Sequence, residues 1–328
     1  MSTPRFSSST TAEEVGTAFA EEVKGKNVLI TGTSVGGIGF EAARVMALKG
    51  ANLVIIVGQN PEKLKIAEET IKKEIPTANI RPLILDLSSL ASVRKAAAEV
   101  NAMPEALHVV IHNAAAPAGP FKLTSDNLEV QDVTNHIAPF LFTKLIAAKI
   151  LAARTVTHVQ YTPRVVFVSG SGQEHSPGVD FGQLERPDPA KHGRGIDALF
   201  RTKCMNILFA IELCRRSKGQ INAYSLHPGV IYTNFMQKED MAVALKEWGL
   251  VDEGGRVIEK ADVWKTIPQG AATTVAAAFD PSLNDKPGTY LMDCIAANEK
   301  LVPHTSDPAI AEQLWVVTER IIGESFTF

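Results

Sequence analysis

Thr31-Gly32-Thr33-Ser34-Val35-Gly36-Gly37-Ile38-Gly39 is the stretch that decides the fold of this 328-residue chain. It joins an apolar run, 27–31, which predicts a strand, to a segment, 38–49, which predicts a helix. Glycines in such a turn let the backbone approach a pyrophosphate at the helix N-terminus, where free N–H groups and the helix dipole favour an anion. The position between strand and helix favours a dinucleotide phosphate site over an ordinary flexible turn.

Strand and helix patterns alternate along most of the chain. Parallel strands need a helix to return the chain, so this alternation predicts an α/β fold. We expect a single Rossmann-type doubly wound domain with a seven-stranded parallel sheet flanked by helices. The predicted strands are 27–31, 52–57, 80–86, 108–112, 164–169, 222–226 and 289–291. The predicted helices include 38–49, 61–74, 133–153, 200–217 and 269–279.

The chain is expected to contain one domain with an N-terminal extension. Residues 1–24 predict a tail and a short helix, which Thr11 and Glu14 open as a capping box. Residues 25–328 form the predicted dinucleotide-binding domain. Two segments inside it, at about 172–196 and 235–266, are rich in Gly, Pro and charge and follow strands at the expected ligand edge. Long loops in compact domains are often functional, so we predict substrate loops there.

Composition excludes several classes of function. The net charge is −3 and basic residues are dispersed, which excludes a broad nucleic-acid surface. The three cysteines show no paired metal-ligand spacing, so we expect free thiols in a reducing compartment and no metal site. No stretch reaches the roughly 18 apolar residues of a membrane span. The sequence therefore predicts a cytoplasmic protein without a membrane-spanning segment.

The end of the second predicted strand bears on the choice of nicotinamide cofactor. An acidic residue there would bind a ribose 2′-hydroxyl and repel a 2′-phosphate, but the sequence reads Val57-Gly58-Gln59-Asn60. Hydrogen-bonding side chains that could meet a phosphate are Thr33, Ser34, Gln59 and Asn60. We therefore predict NADP(H) in preference to NAD(H), although Gln59 could simply begin the loop.

Over about residues 25–320, these motifs resemble the short-chain dehydrogenase/reductase family and, within it, the retinol-dehydrogenase-like branch common in fungi. The turn 31–39 is similar to the family's TGxxxGxG motif with one residue inserted. Asp86-Leu87, His112-Asn113-Ala114-Ala115 and the segment 227–233 resemble its adenine, core and nicotinamide motifs. The resemblance and the turn together imply cofactor contacts from Gly32, Thr33, Ser34, Gly37, Ile38, Gly39, Gln59, Asn60, Asp86, Leu87, Asn113, Ala114, Lys203, Pro228, Gly229 and Thr233.

The catalytic motif of that family is half altered in this chain. Asn135 and Lys203 match its asparagine and lysine. The tyrosine position, four residues before the lysine, is Leu199, and the serine position is Gly170. In the family, the tyrosine transfers the hydroxyl proton, the lysine lowers the pKa of the tyrosine, and the serine orients the carbonyl. Leucine cannot transfer a proton, so other groups must do so if the chemistry persists.

Several groups could replace the missing side chains. Ser169 and Ser171 are the nearest hydroxyls in the sequence for orienting a carbonyl. The candidate proton donors are Tyr232, His175, His192 and water held by Lys203 and Asn135. The histidines could equally be exposed loop residues, and Tyr232 could serve only as packing.

The sequence thus predicts an NADP(H)-dependent oxidoreductase of atypical active site, acting on a lipophilic carbonyl or alcohol of secondary metabolism, such as a terpenoid or polyketide intermediate. Apolar loop residues that could line its pocket, or cover the core, are Phe235, Met236, Leu245, Trp248, Leu250 and Trp264. The alternative is an isomerase, a cyclase or a binding protein that keeps the dinucleotide as a scaffold. The resemblance leaves a homodimer through helix 203–216 open, but the apolar positions of that helix also fit the chain's own core.

Overall fold

The structure is a computed structural model that describes residues 6–155, 161–236, 239–247, 249–252, 254, 256–258 and 264–328. Its strands are β1 (Asn27–Thr31), β2 (Leu53–Gly58), β3 (Ile80–Ile84), β4 (Val109–His112), β5 (Arg164–Val168), β6 (Asn222–His227), β7 (Val230–Ile231), β8 (Trp264–Lys265), β9 (Tyr290–Met292) and β10 (Ile295–Ala296). Within these described residues, eight strands form one sheet in the order β10-β9-β6-β5-β4-β1-β2-β3. β7 and β8 pair separately.

The predicted Rossmann-type sheet is confirmed, but the predicted count of seven strands is wrong. β1 pairs in parallel with β2 on one side and with β4 on the other, and the parallel register continues through β9. The eighth strand, β10, runs antiparallel to β9. Asp293 and Cys294 have φ values of 52° and 67°, the conformation of a tight hairpin turn, so the chain folds back after β9.

Helices cover both faces of the sheet. They are α1 (Ala12–Ala18), α2 (Ala20–Val23), α3 (Ile38–Leu48), α4 (Pro61–Glu74), α5 (Leu90–Ala102), α6 (Val130–Asp132), α7 (Ala138–Leu145), α8 (Ala147–Ala152), α9 (Phe181–Glu185), α10 (Gly195–Ser217), α11 (Glu239–Glu247), α12 (Ile267–Phe279), α13 (Pro303–Ser306) and α14 (Pro308–Ile322). A π-helical turn, Val133–Ile137, lies between α6 and α7.

Two predicted helices differ from the structure by more than two residues at an end or are divided. The single helix expected over 133–153 is divided into the π-helical turn, α7 and α8, with Ile146 in a non-helical conformation between the last two. The helix expected from residue 200 begins at Gly195, because the Asp197 carboxylate accepts hydrogen bonds from the backbone N–H and guanidinium of Arg194. That bond caps the first turn and extends the helix toward the substrate loop.

The N-terminal helix packs onto the sheet's helical layer. Thr11 and Glu14 form the predicted capping box of α1. Gly16 permits the close approach of α1 to α3, since a Cβ atom there would lie 2.6 Å from Cγ1 of Val45. Val15 and Val28 share one apolar cluster with α3 and α12, on one side of the sheet.

The C-terminal helix α14 covers α7 and α10 on the other side of the sheet. Its Trp315 ring lies 4.8 Å from that of Phe140 and 5.8 Å from that of Phe209, measured between centroids. Ile207 and Leu208 of α10 are fully buried within the same chain. The face that the resemblance associates with dimerisation is therefore packed intramolecularly.

A buried ion pair joins α6 to α10. Both carboxylate oxygens of Asp132 accept hydrogen bonds from Nη2 of Arg201, at 3.0 and 2.9 Å. The two side chains are only 2% and 11% exposed. An unpaired charge in such a place is costly, because the lost partner is not replaced by water.

We expect Arg201→Met to lower the free energy of unfolding by about 3–5 kcal/mol, because it leaves the Asp132 carboxylate buried without its cation. Urea denaturation measures the effect. The matched control is Lys65→Met, whose exposed pair with Glu69 at 3.9 Å should contribute less than about 1 kcal/mol. Equal losses in the two variants would contradict this account of the buried pair.

Candidate active site

A cavity of about 960 Å³ lies at the carboxyl ends of the parallel strands. β1 lies between β2 and β4, so the strand order reverses at this point, and the opening beside such a reversal is the usual ligand site of open α/β sheets. Thr31 and Asn113, at and just after the ends of β1 and β4, both line the cavity.

Hydrogen bonds fix the phosphate turn against the end of β4. Asn113 Nδ2 donates to the carbonyl oxygens of Thr31 and Gly32, at 2.8 and 3.1 Å. The Thr31 hydroxyl accepts from the backbone N–H groups of Asn113 and Ala114, each at 3.0 Å. Gly32 has a φ of +76°, and a Cβ atom on Gly39 would lie 2.3 Å from Asn113 Nδ2. Glycine at these two positions is therefore required by backbone conformation and by packing.

The N-terminus of α3 faces the cavity. Its N-cap is Gly37, which makes no side-chain capping bond, so the first-turn N–H groups are left for a ligand. Ser34, Gly37 and Ile38, which the sequence predicts as cofactor contacts, line the cavity here. The backbone donors and the helix dipole fit a pyrophosphate.

The cavity extends from the phosphate turn, as a groove, to the carboxyl ends of β2 and β3. The predicted residues Gln59, Asp86 and Leu87 line it. One carboxylate oxygen of Asp86 accepts from the backbone N–H and the hydroxyl of Ser88, at 2.9 and 2.7 Å, so the loop that carries it is ordered.

Sequence reasoning missed a cation at this end. Lys63, in the first turn of α4, also lines the cavity. A basic residue four positions after Gln59, at the start of a predicted helix, was the available signal. Asn60, predicted to contact a phosphate, instead caps α4, since its Oδ1 accepts from the Lys63 backbone N–H at 3.0 Å.

Lys203 lies at the opposite end of the groove, beside the end of β5. Its Nζ donates to the carbonyl oxygen of Val168 at 3.3 Å, and burial lowers the pKa of the ammonium group to about 8. Ser169, a predicted carbonyl-orienting hydroxyl, donates its proton to the Lys203 backbone carbonyl at 2.7 Å. Lys203, Ser169 and Ser171 all line the cavity. The hydroxyl of Ser169 is thus occupied, and it holds the lysine's helix against the strand.

Gly170 leaves room for a larger side chain. Its backbone is extended, with a φ of 173°. A Cβ atom there would make only ordinary contacts, with the nearest being Cγ of Lys203 at 3.8 Å and Nδ1 of His227 at 3.9 Å. Serine at this position would therefore fit without displacing its neighbours.

Leu199 is buried in an apolar cluster beneath the second substrate loop. The cluster, which we call the lid cluster, consists of Ala118, Ile196, Leu199 and Met241, with Phe200, Phe235 and Met236 packed against it. Met241 belongs to α11, so the leucine joins α10 to the loop over the cavity. Leu245 and Leu250 also line the cavity, whereas Trp248 lies outside the described residues.

Several predicted site residues lie elsewhere. The side chain of Thr33 is buried and donates to the carbonyl oxygen of Val57 at 3.5 Å, so its hydroxyl is engaged within the fold. Tyr232 lies edge-on to Trp264, with 6.0 Å between ring centroids, and is not among the described residues that line the cavity. His192 is buried against Phe121, with 5.2 Å between their ring centroids, while His175 does line the cavity.

Asn135 lies behind the cavity wall, in the π-helical turn. Its Oδ1 accepts from the Ala116 backbone N–H at 2.6 Å, and its Nδ2 donates to the Thr202 hydroxyl at 3.1 Å. Both ends of the amide are therefore used to tie the loop after β4 to α10. The side chain of Asn135 positions its neighbours and does not itself face the cavity.

The remaining predicted contacts, Pro228, Gly229 and Thr233, line the cavity beside Lys203. Further along, Asn234 Nδ2 donates to the carbonyl oxygen of Val35 in the phosphate turn, at 3.2 Å. Among the described residues, no group of three or more His, Cys, Asp or Glu side chains could hold a metal ion. No helix in the described parts is long and apolar enough to cross a membrane.

Comparison with known proteins identifies the family. Residues 26–178 match the family model described as short chain dehydrogenase. The chain is 32% identical over 323 residues to "Short-chain dehydrogenase TIC 32 A, chloroplastic" of Brassica napus, covering 97% of this chain and 94% of that protein. It is 30% identical to "Retinol dehydrogenase 12" of Homo sapiens, covering 92% and 88% of the two chains.

A solved structure shares the fold. The 3-oxoacyl (acyl-carrier-protein) reductase from Agrobacterium tumefaciens C58 with NADP bound superposes with a TM-score of 0.60 at 19% identity, covering 82% of this chain and 93% of that one. Similarity at this level supports the architecture of the sheet. Because its sequence relatives are similar over nearly their whole lengths, the chain belongs to the short-chain dehydrogenase/reductase family and is an oxidoreductase of that type.

Proposed function

We propose that the protein is an NADP(H)-dependent oxidoreductase that interconverts a lipophilic carbonyl compound and its alcohol. One observation carries this proposal: a single cavity runs from the phosphate turn past Lys203 to the apolar side chains of the lid cluster. A polar groove that would hold a dinucleotide and an apolar pocket that would hold the substrate are thus parts of one continuous cavity.

Different residues along this cavity would bind the cofactor, exclude water and transfer the proton. The turn at Gly37 and the N-terminus of α3 would hold the pyrophosphate, and Lys203 and Thr233 the nicotinamide end. When bound, the reduced nicotinamide supplies the hydride. Leu199 and Met241 exclude water from the pocket. The Lys203 ammonium, directly or through a water that it holds, would give the substrate oxygen its proton, which the family's tyrosine would otherwise provide.

Two features support the preference for NADP(H). The end of β2 carries no carboxylate that would repel a 2′-phosphate, and Gln59 faces the cavity there. Lys63 adds a positive charge at the same end of the groove. A phosphate gains more from a nearby ammonium than a ribose hydroxyl does.

The decisive experiment follows the loss of NADPH absorbance with a panel of enals, ketones and aldehydes. We expect consumption of one NADPH for each carbonyl reduced. Tight NADPH binding without oxidation, together with conversion of a compound at catalytic cofactor levels, would instead establish the isomerase or cyclase alternative. Failure to bind either dinucleotide would refute both the oxidoreductase and the isomerase or cyclase alternative.

The cytoplasmic location and the homodimer remain predictions. One relative is named as chloroplastic, so the family does not fix a compartment. A dimer of this chain would need a surface other than the face of α10 that α14 covers.

We expect Lys63→Ala to weaken NADPH binding by about tenfold or more, because it removes a charged contact to the 2′-phosphate, and to change NADH binding less than about twofold. Fluorescence titration of both cofactors provides the measurement. Lys65→Ala is the matched control, because Lys65 is 75% exposed and pairs with Glu69. An equal loss for both cofactors would argue against the proposed 2′-phosphate contact.

The rate of carbonyl reduction should fall as the pH rises through about 8. Burial lowers the pKa of Lys203 to about that value, so the ammonium group is present below it and lost above it. The dependence of kcat/KM on pH between 6 and 10 tests this expectation. Lys203→Arg should move the decline to higher pH, and a decline unchanged in that variant would assign it to another group.

Restoring both missing hydroxyls, with Leu199→Tyr and Gly170→Ser together, should raise reduction of simple carbonyls by about 10²-fold, since proton transfer by a positioned side chain is typically worth that much. Gly170 has room for the serine. The control combines Leu199→Phe with Gly170→Ala, which adds similar volume without hydroxyls. If both pairs of changes behave alike, the pocket has been rebuilt around other groups.

A further inference from the structure

His227 lines the cavity, and a backbone hydrogen bond fixes the tautomer of its ring. The backbone N–H of Ser171 donates to its Nδ1 at 3.1 Å. A backbone N–H can only donate, so Nδ1 must carry the lone pair, and the proton of the neutral ring is on Nε2. His227 lines the cavity, and Nε2 has no hydrogen-bond partner among the described residues.

The surroundings of His227 keep its ring neutral. Burial, with smaller contributions from the charges of Lys265 and Lys203, lowers the pKa of the imidazole to about 4, while Asp293 acts in the opposite direction. Lys265 itself forms an ion pair with Asp293. A neutral imidazole with a fixed tautomer is a hydrogen-bond donor that does not give up its proton at ordinary pH.

The ring stands beside the altered serine position. A Cβ atom on Gly170 would lie 3.9 Å from Nδ1 of His227 and 3.8 Å from Cγ of Lys203. Ser169 is engaged with the Lys203 carbonyl, so its hydroxyl proton is already used. The imidazole that carries the Nε2–H donor therefore lies beside the place where the serine hydroxyl is missing, with Nδ1 as the ring nitrogen near Gly170.

We propose that the Nε2–H group of His227 donates the hydrogen bond to the substrate oxygen that a serine at position 170 would otherwise make. This inference rests on the proposed function. In reduction, the carbonyl carbon would accept the hydride that a bound nicotinamide supplies, the C=O π electrons would move onto oxygen, and the Lys203 ammonium would supply the proton. Nε2–H holds the oxygen throughout and keeps its own proton. Lys203 then regains a proton from water.

The test compares His227→Leu with the double variant His227→Leu/Gly170→Ser. The single change should lower kcat by about 10²-fold, the usual effect of removing one such donor, with dinucleotide affinity retained. The melting temperature should fall by only a few degrees, because the Ser171 N–H loses its acceptor. Serine at position 170 should then recover at least about tenfold of that loss, because its hydroxyl restores a donor. His227→Leu/Gly170→Ala is the matched control and should recover nothing, because it adds volume alone.

Four results would overturn the inference. Wild-type turnover with an unchanged kcat in His227→Leu would refute it while leaving the proposed function intact, and so would equal rescue by alanine and serine. A ¹⁵N NMR spectrum at neutral pH that shows the proton on Nδ1 would refute it independently of activity. If the wild-type protein consumes no NADPH with any carbonyl, the proposed function itself fails, and this inference fails with it.

Discussion

The side-chain amide of Asn113 fixes the distance between the end of β4 and the phosphate turn, and the geometry of the phosphate site depends on that distance. It donates to two successive carbonyl oxygens, those of Thr31 and Gly32, and so locks the end of β4 to the phosphate turn. The lock is tight enough that Gly39 must lack a side chain. With the turn fixed in this way, the N-terminus of α3 stays at the cavity, and the helix dipole acts on an anion bound there.

One helix, α10, performs several tasks over little more than one turn. Leu199 packs under the loop that covers the pocket, the Thr202 hydroxyl accepts a hydrogen bond from the Asn135 amide, and Lys203 lines the cavity. Residues three and four apart share one side of a helix, which explains how these tasks stay together. Leu199 thus makes an apolar contact at the position where the family resemblance implies a tyrosine.

Local patterns in the sequence were enough for much of the fold. The turn 31–39 and the parallel strands follow from glycine placement and apolar runs, which short segments determine by themselves. The start of α10 was not predictable, because it depends on a hydrogen bond that Arg194, outside the apolar pattern, donates to the Asp197 carboxylate. The eighth strand was missed for a similar reason, since a two-residue stretch beyond a tight turn leaves almost no pattern.

The site was only partly predictable because side-chain partners come from distant parts of the chain. The hydroxyl of Thr33 and the amide of Asn135 look free in the sequence, but the fold engages both with backbone or side-chain groups. Lys63 and Met241 reach the cavity from helices whose orientation no local pattern gives. The tautomer of His227 is set by a backbone group 56 residues away.

The hydrogen bond from Asn234 to the carbonyl of Val35 joins the segment that leads into the lid with the phosphate turn, across 199 residues of sequence. A molecule that alters this bond as it settles on the turn also alters the beginning of the segment that closes over the apolar pocket. The two ends of the cavity are then thermodynamically linked. By reciprocity, whatever factor the first ligand imposes on the affinity of the second, the second imposes on the first.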